Sequence, residues 1–404
     1  MTGHVRRRGK QSFELKYDAD PDPVTGRRRI RYVSFKGSKR GAEIELARLI
    51  SSKANGTDVD VKKTTVAEFL ERWDRDWASS NVEGKTIERY RELIELYIKR
   101  HIGEVRIQKL RPVHLNELYA KLLREGGKAG RALAPRTVGH VHRLLHRSLG
   151  HAATWGVVLQ NVASVVNPPK VPDTELTILT ESQIGTVLER LNGRTLRPIV
   201  SFLLGTGCRR GEVLAVRWRD IDWDNGRVRI ERSVEQTKKG GLRFKSPKTK
   251  NSRRNISISP WLLSELKAHR TRQHERRLTL GLGKAPEESL VFALWDGSTR
   301  APHWLTQKFS LAMDVLKIDC TLHALRHTHV SQLIAAGLDI LTISRRLGHA
   351  SAAITLRIYG HLFANTDARA ADIMELAFAK VRTEEERLAN IGGGNLVAIS
   401  SVTP

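Results

Sequence analysis

The stretch His323-Ala324-Leu325-Arg326-His327 is followed by Leu347-Gly348-His349 and then by Tyr359. His323 and Arg326 are three residues apart, so on a helix they share a face and can converge on one phosphate. Gly348 is expected to end a helix and to leave the His349 ring exposed at a turn. Each residue alone has an ordinary explanation, a satisfied histidine or a packing tyrosine. Together they can attack a phosphodiester.

The composition points to a polyanionic partner. The 404-residue chain has a formal net charge of +26 and a pI of about 10.5, and such a charge concentrates nucleic acid around the protein. An anionic membrane surface is the competing partner, but the apolar run 199–204 is far shorter than the roughly 20 residues that span a bilayer. The polar N-terminal stretch does not resemble a secretory signal. We therefore expect a cytoplasmic, DNA-associated protein without membrane contact.

Length and pattern predict a multidomain chain that is mainly α with small β-sheets. Residues 1–60 form a basic module in which alternating Phe13, Leu15 and Tyr17 and the segment 28–35 predict a β-hairpin, and 42–53 a helix. The hairpin carries four basic residues, for which DNA contact competes with a solvated charge cluster: Arg27, Arg28, Arg29 and Arg31. We interpret the module as DNA-binding.

Residues 64–168 predict an almost entirely helical domain, because apolar residues recur at helical spacing, as in Val66, Phe69, Leu70 and Trp73. Such stripes are usually core, so phosphate contacts are expected instead from basic residues that include Lys85, Arg89, Arg136 and Arg143. Gly84-Lys85-Thr86 ends like a phosphate-binding loop, but Ser79 stands where that motif needs glycine. Nucleotide binding is rejected.

The proline-rich segment 167–173 predicts a linker. Beyond it, residues 174–390 predict a mixed α+β domain with a C-terminal helix, and 391–404 a flexible tail. Thr180 and Gln183 can cap a helix, and a second helix should end at Gly205-Thr206-Gly207. Cys208 and Cys320 are too few for a disulfide framework and are expected to be buried.

Two further motifs add cations to this domain. In Thr206-Gly207-Cys208-Arg209-Arg210-Gly211-Glu212, a glycine turn delivers Arg209 to a helix start, where its guanidinium can bind two phosphate oxygens and Glu212 can orient it. Arginine-rich helix starts are common, so the motif alone is weak. The segment 245–254 resembles a hairpin with several cations, one of which can protonate a leaving oxygen. A solvated basic loop is the ordinary alternative.

In the order Arg209, lysine hairpin, His323-x-x-Arg326, His349 and Tyr359, the chain resembles the tyrosine recombinases, the phage integrase family, from Ile178 to about Leu362. The helical domain is similar to that family's core-site-binding domain, and residues 1–60 to its arm-site-binding module. The resemblance implies that Arg209 and Arg326 hold the scissile phosphate, that Lys248 protonates the 5′ oxygen, and that His323 and His349 assist. Lys248 is preferred over Lys245 and Lys250 because Pro247-Lys248-Thr249 is most similar to the family's hairpin.

The resemblance implies that Tyr359 is the nucleophile. A free tyrosine has a pKa of about 10, so nearby cations are expected to favour phenolate and to stabilise the phosphorane. A 3′-phosphotyrosyl bond conserves the energy of the phosphodiester, so neither ATP, a metal nor another cofactor is expected. The implied partners are double-stranded DNA attachment sites, a homo-tetramer and a host DNA-bending or directionality factor. The C-terminal helix packs on its own domain or on a neighbouring protomer.

Three other functions compete with integration or excision of a mobile element. A type IB topoisomerase shares the tyrosine chemistry but lacks an arm-like module. A non-catalytic DNA-binding regulator needs the charge but not the catalytic series. A metal-dependent transposase needs a carboxylate trio, and none stands out.

Overall fold

A computed structural model describes residues 3–18, 27–54, 64–172, 175–246, 253–363 and 366–392, and the chain divides into two compact units, 1–173 and 174–404. The fold is mainly helical with small antiparallel sheets, as the sequence predicts. Within the described ranges, no helix is long and apolar enough to cross a membrane.

The first unit begins with a three-stranded antiparallel sheet, β1 Gly3–Gly9, β2 Ser12–Asp18 and β3 Ile30–Lys36, followed by α1 Lys39–Ala54. Phe13, Leu15 and Tyr17 pack with Ala42 and Leu46 in a small core. The predicted pairing of β2 with β3 is confirmed. Strand β1 was not predicted, because nearly all its residues are exposed and it therefore lacks the alternation of a half-buried strand.

The rest of the first unit is helical. Its helices are α2 Val66–Trp73, α3 Ser79–Asn81, α4 Gly84–Leu93, α5 Lys99–Ile102, α6 Pro112–Glu125 and α7 Pro135–Thr154, with π-helical turns at Asp74–Ala78 and Ile94–Ile98. Thr65 and Glu68 form a reciprocal cap at the start of α2. The stripe formed by Val66, Phe69 and Leu70 is buried in one core, so its prediction as core is confirmed.

The second unit combines helices with two sheets. Its helices are α8 Glu181–Arg190, α9 Leu196–Thr206, α10 Arg210–Val213, α11 Pro260–Thr279, α12 Pro302–Leu316, α13 Ala324–Ala335, α14 Ile340–Leu347, α15 Ala352–Tyr359 and α16 Thr366–Gly392. Its strands are β4 Ile221–Asp222, β5 Arg227–Ile230, β6 Ser233–Thr237, β7 Gly241–Lys245 and β8 Arg254–Ser257. One sheet has the order β4-β5-β8 and the other pairs β6 with β7.

The ends of these helices follow the predicted rules. Thr180 and Gln183 form the expected reciprocal cap at α8, and α9 ends at Gly207, whose φ of +64° is left-handed. Gly348 ends α14 in the same way. The two glycines place Arg209 and His349 just beyond the C-terminal ends of two helices.

The segment 245–254 does not form one hairpin in the described residues. Strand β7 pairs with β6, and β8 pairs with β5, so the segment connects two different sheets. Residues 247–252, which include Lys248, lie outside the residues that the structure describes. The predicted tail also lies outside them beyond Gly392.

Candidate active site

A buried carboxylate joins two arginines at the start of α10. Glu212 accepts hydrogen bonds from the backbone N–H of Arg209 and from its Nη1, both at 2.9 Å. Arg254 Nη2 donates to Glu212 Oε2, the oxygen that also accepts the Arg209 backbone N–H, again at 2.9 Å. The Glu212 and Arg254 side chains are 7% and 6% exposed, whereas that of Arg209 is 42% exposed. Glu212 therefore fixes one guanidinium inside the protein and one at its surface.

Arg326 is buried at the convergence of α9 and α14. Its Nη1 donates to Gly207 O at 2.5 Å, and its Nη2 donates to Leu347 O at 2.8 Å and to His349 Nε2 at 2.9 Å. Burial and the positive charge of Arg209 lower the pKa of Arg326 to about 10. Because that value is well above 7, Arg326 remains a cation, held rigidly by acceptors that do not neutralise it.

The contacts of His349 determine its tautomer. Its Nε2 must accept, because Arg326 Nη2 can only donate, so Nδ1 carries the proton and donates to Thr355 Oγ1 at 2.7 Å. Burial and the charges of Arg326 and Arg209 lower its pKa to about 4, so the ring is neutral at pH 7. The expectation that Gly348 exposes this ring is wrong. The ring turns inward to Arg326 and Thr355, and His349 is only 9% exposed.

Tyr359 ends α15 and contacts a histidine. Its hydroxyl lies 2.8 Å from His327 Nδ1, and the residue is 1% exposed. Burial raises the pKa of Tyr359 although the charge of Arg326 lowers it. The expectation that the cations favour phenolate is therefore not met, because desolvation outweighs their field.

His323 stands at the beginning of α13 and is exposed. Its ring lies edge-on to that of His327, with 4.8 Å between the ring centroids. Partial desolvation and the charges of Arg326 and Arg209 lower the pKa of His323. The structure thus brings together all the predicted catalytic residues that it describes, namely Arg209, His323, Arg326, His349 and Tyr359.

The neighbours of Lys248 bear on its assignment. Lys245 Nζ donates to Glu235 Oε1 at 2.9 Å, and the Glu235 side chain is 6% exposed. Arg243 donates to the same carboxylate. Lys245 is therefore part of the β6–β7 pair, whereas Lys248 and Lys250 lie outside the described residues.

Two contact residues of the site were not among the predicted catalytic residues. Arg254 lies in a basic run that resembles a solvated loop, but it shares a strand face with buried Ile256, and this alternation is the signal that could have found it. His327 follows Arg326 directly, and no spacing rule in the sequence links it to Tyr359. Only the packing of α13 against α15 brings the two together.

The predicted DNA-binding residues lie on exposed or partly exposed surfaces. Arg27, Arg28 and Arg29 precede β3, where Arg28 Nε donates to Asp18 Oδ1 at 2.8 Å, and Arg31 lies within the strand. In the helical part, Lys85 and Arg89 lie on α4, and Arg136 and Arg143 on α7. Arg89 pairs with Glu92 at 2.9 Å. Their contact with DNA stays a prediction.

The fold is that of a tyrosine recombinase. Residues 177–366 match the model of the phage integrase family, and residues 65–123 match that of the phage integrase N-terminal SAM-like domain. The chain belongs to the phage integrase family.

Relatives support this membership. A tyrosine recombinase XerC-like protein of Caldanaerobacter subterraneus subsp. tengcongensis is 26% identical over 86% of this chain and 92% of its own length. The ICEBs1 integrase of Bacillus subtilis is 35% identical over 44% of this chain and 47% of its own. Among solved structures, the Tn1549 transposon integrase bound to transposon right end DNA superposes with a TM-score of 0.66 at 19% identity, covering 78% of this chain and 100% of that one. A lambda integrase tetramer bound to a Holliday junction gives 0.52 at 17% identity, with 86% and 96% covered.

Proposed function

We propose that the protein is a site-specific DNA recombinase that integrates or excises a mobile element by cleaving and rejoining DNA through Tyr359. The observation that carries the proposal is the convergence of Arg209, Arg326 and His349 beside the pair formed by Tyr359 and His327. A non-catalytic DNA-binding protein has no need of this arrangement. Family membership and the structural relatives support the same function.

In the proposed cleavage step, Tyr359 Oη attacks the phosphorus while Arg209 and Arg326 bind the non-bridging oxygens. A bond from phosphorus to the tyrosine oxygen forms and the bond to the 5′ oxygen breaks. His327 Nδ1 lies 2.8 Å from the hydroxyl oxygen and, when unprotonated, is placed to take the phenolic proton, because the pKa of His327, lowered to about 4 mainly by burial, leaves the ring neutral at pH 7. Attack by the 5′ hydroxyl of another strand reverses the bond changes, so no ATP is consumed.

Tyr359 must move before this step. At 1% exposure its hydroxyl is closed off from a large substrate such as DNA. The 42% exposed Arg209 side chain, in contrast, is open to a phosphate. We propose that DNA bound first at Arg209 draws the end of α15 outward, which exchanges the contact of Tyr359 with His327 for one with the phosphate and opens Arg326, 3% exposed in the closed arrangement, to the same phosphate.

Lys248 is proposed as the acid that protonates the departing 5′ oxygen. Its support is the family resemblance and the engagement of Lys245 by buried Glu235. A substrate with sulfur at the 5′ bridging position distinguishes this role, because a thiolate leaves without protonation. Lys248→Ala should lose most cleavage of ordinary DNA and recover it on the sulfur substrate, whereas Lys250→Ala should cleave both normally. A Lys248→Ala variant that the sulfur substrate does not rescue contradicts the assignment.

Assembly as a homo-tetramer on two duplexes is proposed to use α16. Five large apolar side chains of this helix are more than half exposed in the single chain: Ile373, Met374, Leu376, Phe378 and Val381. Exposed apolar stripes of this kind mark protein interfaces, so we propose that α16 docks on a neighbouring protomer rather than on its own domain. Leu376→Glu should abolish the tetrameric DNA complex on native gels, whereas Lys380→Glu, which adds negative charge to the same helix, should retain it. Equal assembly by both variants contradicts docking in trans.

The basic N-terminal module is proposed to bind arm-type DNA, and Lys85, Arg89, Arg136 and Arg143 to contact core-site phosphates. A host DNA-bending or directionality factor remains a proposed partner, and a cytoplasmic location a proposed setting. Deletion of residues 1–60 should weaken arm binding while core cleavage persists. Unchanged arm binding contradicts this role for the module.

The decisive experiment is capture of the covalent intermediate. The full chain first enriches its core site from a random duplex library, and the selected site is then nicked so that cleavage releases a short strand and traps the adduct. We expect a covalent DNA adduct in EDTA and none with Tyr359→Phe. Tyr119→Phe is the matched control, since Tyr119 is also buried and its hydroxyl also lies against a histidine, 3.1 Å from His142 Nδ1. An adduct formed by Tyr359→Phe contradicts the proposal.

A second assay separates the recombinase from a type IB topoisomerase. Two labelled duplexes that carry the selected site are incubated together, and strands joined to a new partner are counted against relaxation of a supercoiled plasmid. Joining to the new partner is the expected product. Relaxation without exchange favours the topoisomerase.

A further inference from the structure

A pocket of about 120 Å³ in the second unit, lined by none of the catalytic residues, is surrounded by arginines. It lies between the turn before α9, the helix α11 and the loop 281–300. Five arginines line it, and no aspartate or glutamate does: Arg194, Arg272, Arg276, Arg277 and Arg300. The pocket therefore concentrates positive charge without a compensating carboxylate in its wall.

The side chains of these arginines are not engaged by acids. Within the described part of the chain, none of the five forms an ion pair, although Arg197, Arg217 and Arg254 of the same unit all do. Arg277 donates to the carbonyls of Leu282 and Gly283 at 2.9 and 3.2 Å, and Arg300 Nη2 to Ala293 O at 3.1 Å. These contacts hold the guanidinium groups of Arg277 and Arg300 in place and leave their charge uncancelled.

Their mutual repulsion is visible in the neighbouring titratable groups. Burial, followed by the charge of Arg276, lowers the pKa of Arg300. Burial lowers the pKa of His269 to about 4, and the charges of Arg272, Arg300 and Arg276 act in the same direction. In addition, Arg300 Nε is a buried donor without a hydrogen-bond partner among the described residues. A bound anion would satisfy that donor and relieve the repulsion together.

We infer that this pocket binds one phosphate-type oxyanion, at a site separate from the catalytic one. Its volume of about 120 Å³ is well below the roughly 300–1,000 Å³ of pockets that enclose whole organic ligands, so it is sized for a phosphate group rather than for a whole nucleotide. It includes Thr195 and Pro198 at the beginning of α9, where the helix dipole favours an anion. Arg209 follows the other end of the 11-residue helix, about 16 Å away along its axis.

The phosphate has two sources with the same chemistry, a DNA backbone phosphate outside the cleavage point or free inorganic phosphate. The DNA source rests on the proposed function, whereas the binding of phosphate itself does not. The tests therefore begin without DNA.

The first test is calorimetric titration of the full chain with inorganic phosphate at constant ionic strength, with thermal unfolding in parallel. The test variant carries Arg272→Gln and Arg276→Gln, and Arg190→Gln, an exposed arginine on α8, is the matched control. We expect one phosphate-binding event of the wild type to become at least tenfold weaker in the double variant. This weakening should occur whether or not phosphate also binds at the catalytic arginines. The control should bind as the wild type does. The double variant should unfold at an equal or higher temperature in chloride, because repulsion has been removed, so the loss of binding cannot be ascribed to misfolding.

A wild-type protein that binds no more phosphate than the double variant overturns the inference. A control variant that loses the same binding event also overturns it. The salt dependence of binding to duplex DNA then distinguishes the sources. A DNA phosphate in the pocket predicts that the double variant lowers the slope of log K against log salt by about 0.9 for the lost contact, whereas free phosphate predicts an unchanged slope with the phosphate binding still lost.

Discussion

Glu212 allows the most quantitative prediction, because its carboxylate is the one acid that contacts both Arg209 and Arg254 in the described site. Glu212→Gln keeps the size of the side chain and one acceptor oxygen but removes the charge. The 6% exposed Arg254 then loses its ionic contact with Glu212 inside the protein. Breaking a buried pair by removing one partner typically costs about 3–5 kcal/mol, while the pair with the 42% exposed Arg209 adds about 0–1 kcal/mol.

Since glutamine preserves part of the hydrogen bonding, we expect the free energy of unfolding to fall by about 3 kcal/mol, at the low end of that range. For a unit of this size, a loss of 1 kcal/mol lowers the melting temperature by about 2–4 °C, so a decrease of roughly 6–12 °C is expected. Adduct formation should also fall, by about a hundredfold, because Arg209 loses the carboxylate that orients it.

The pH dependence gives an independent check. Burial opposes the charge of Glu212, but Arg254 and Arg209 outweigh it, so the net pKa of Glu212 lies below its ordinary value of 4.5. A carboxyl with a depressed pKa stabilises the fold fully above its unfolded pKa and loses that contribution as the pH falls through its folded pKa. The difference in stability between wild type and variant should therefore be complete at pH 7 and shrink below about pH 4.5.

Urea unfolding at pH 7 and at pH 3.5 measures both quantities. Glu265→Gln is the control, since Glu265 pairs with Arg197 at 3.1 Å but both side chains are about one-fifth exposed, and it should cost clearly less. A Glu212→Gln variant within 1 kcal/mol of the wild type at pH 7, or a deficit that persists undiminished at pH 3.5, would refute the reasoning.

Three further substitutions test the geometry around the site. Gly348→Ala places a Cβ 2.8 Å from Arg254 Nη1 at a φ of +64°. The control Gly281→Ala has a φ of +68° and open space around the Cβ, so it measures the left-handed backbone strain alone, about 1–2 kcal/mol. Gly348→Ala should lower the free energy of unfolding in urea by more than the control does, and equal losses would show that the Arg254 side chain moves aside at no cost. Thr355→Val removes the acceptor for His349 Nδ1, so it should lower the free energy of unfolding by about 1–3 kcal/mol and slow adduct formation. The control Thr355→Ser keeps the hydroxyl and should change stability little. A valine variant as stable as the wild type contradicts the assigned tautomer. His327→Ala should slow adduct formation relative to the wild type by a factor that is constant from pH 6 to 8, because His327, with a pKa of about 4, does not titrate in that range. A ratio of the two rates that changes tenfold per pH unit contradicts this prediction.

Sequence patterns predicted the elements whose determinants are local. The capping pair Thr180 and Gln183 and the terminal glycine Gly207 are each specified within a few residues of chain. The catalytic residues were also accessible, because His349 directly follows a glycine that ends a helix and Arg209 stands two residues after another such glycine. The sequence patterns did not predict the non-local features of the site. The burial of His349, the partner of Tyr359 and the role of Arg254 all depend on which helices and strands pack together.

The hydrogen-bond acceptors that hold the arginines of the site were also not predicted, because most of them are backbone carbonyls. Arg326 donates to the carbonyls of Gly207 and Leu347, Arg209 to that of Gly348, and Arg346 to that of Gly205. These carbonyls lie at the C-terminal ends of α9 and α14, where acceptors lack partners in the helix and the helix dipole is negative. Any residue type supplies such a carbonyl, so no motif marks it. Two helix ends thus hold neighbouring guanidinium groups together with a single buried carboxylate, and because carbonyls do not cancel charge, the positive field stays available to the DNA phosphate.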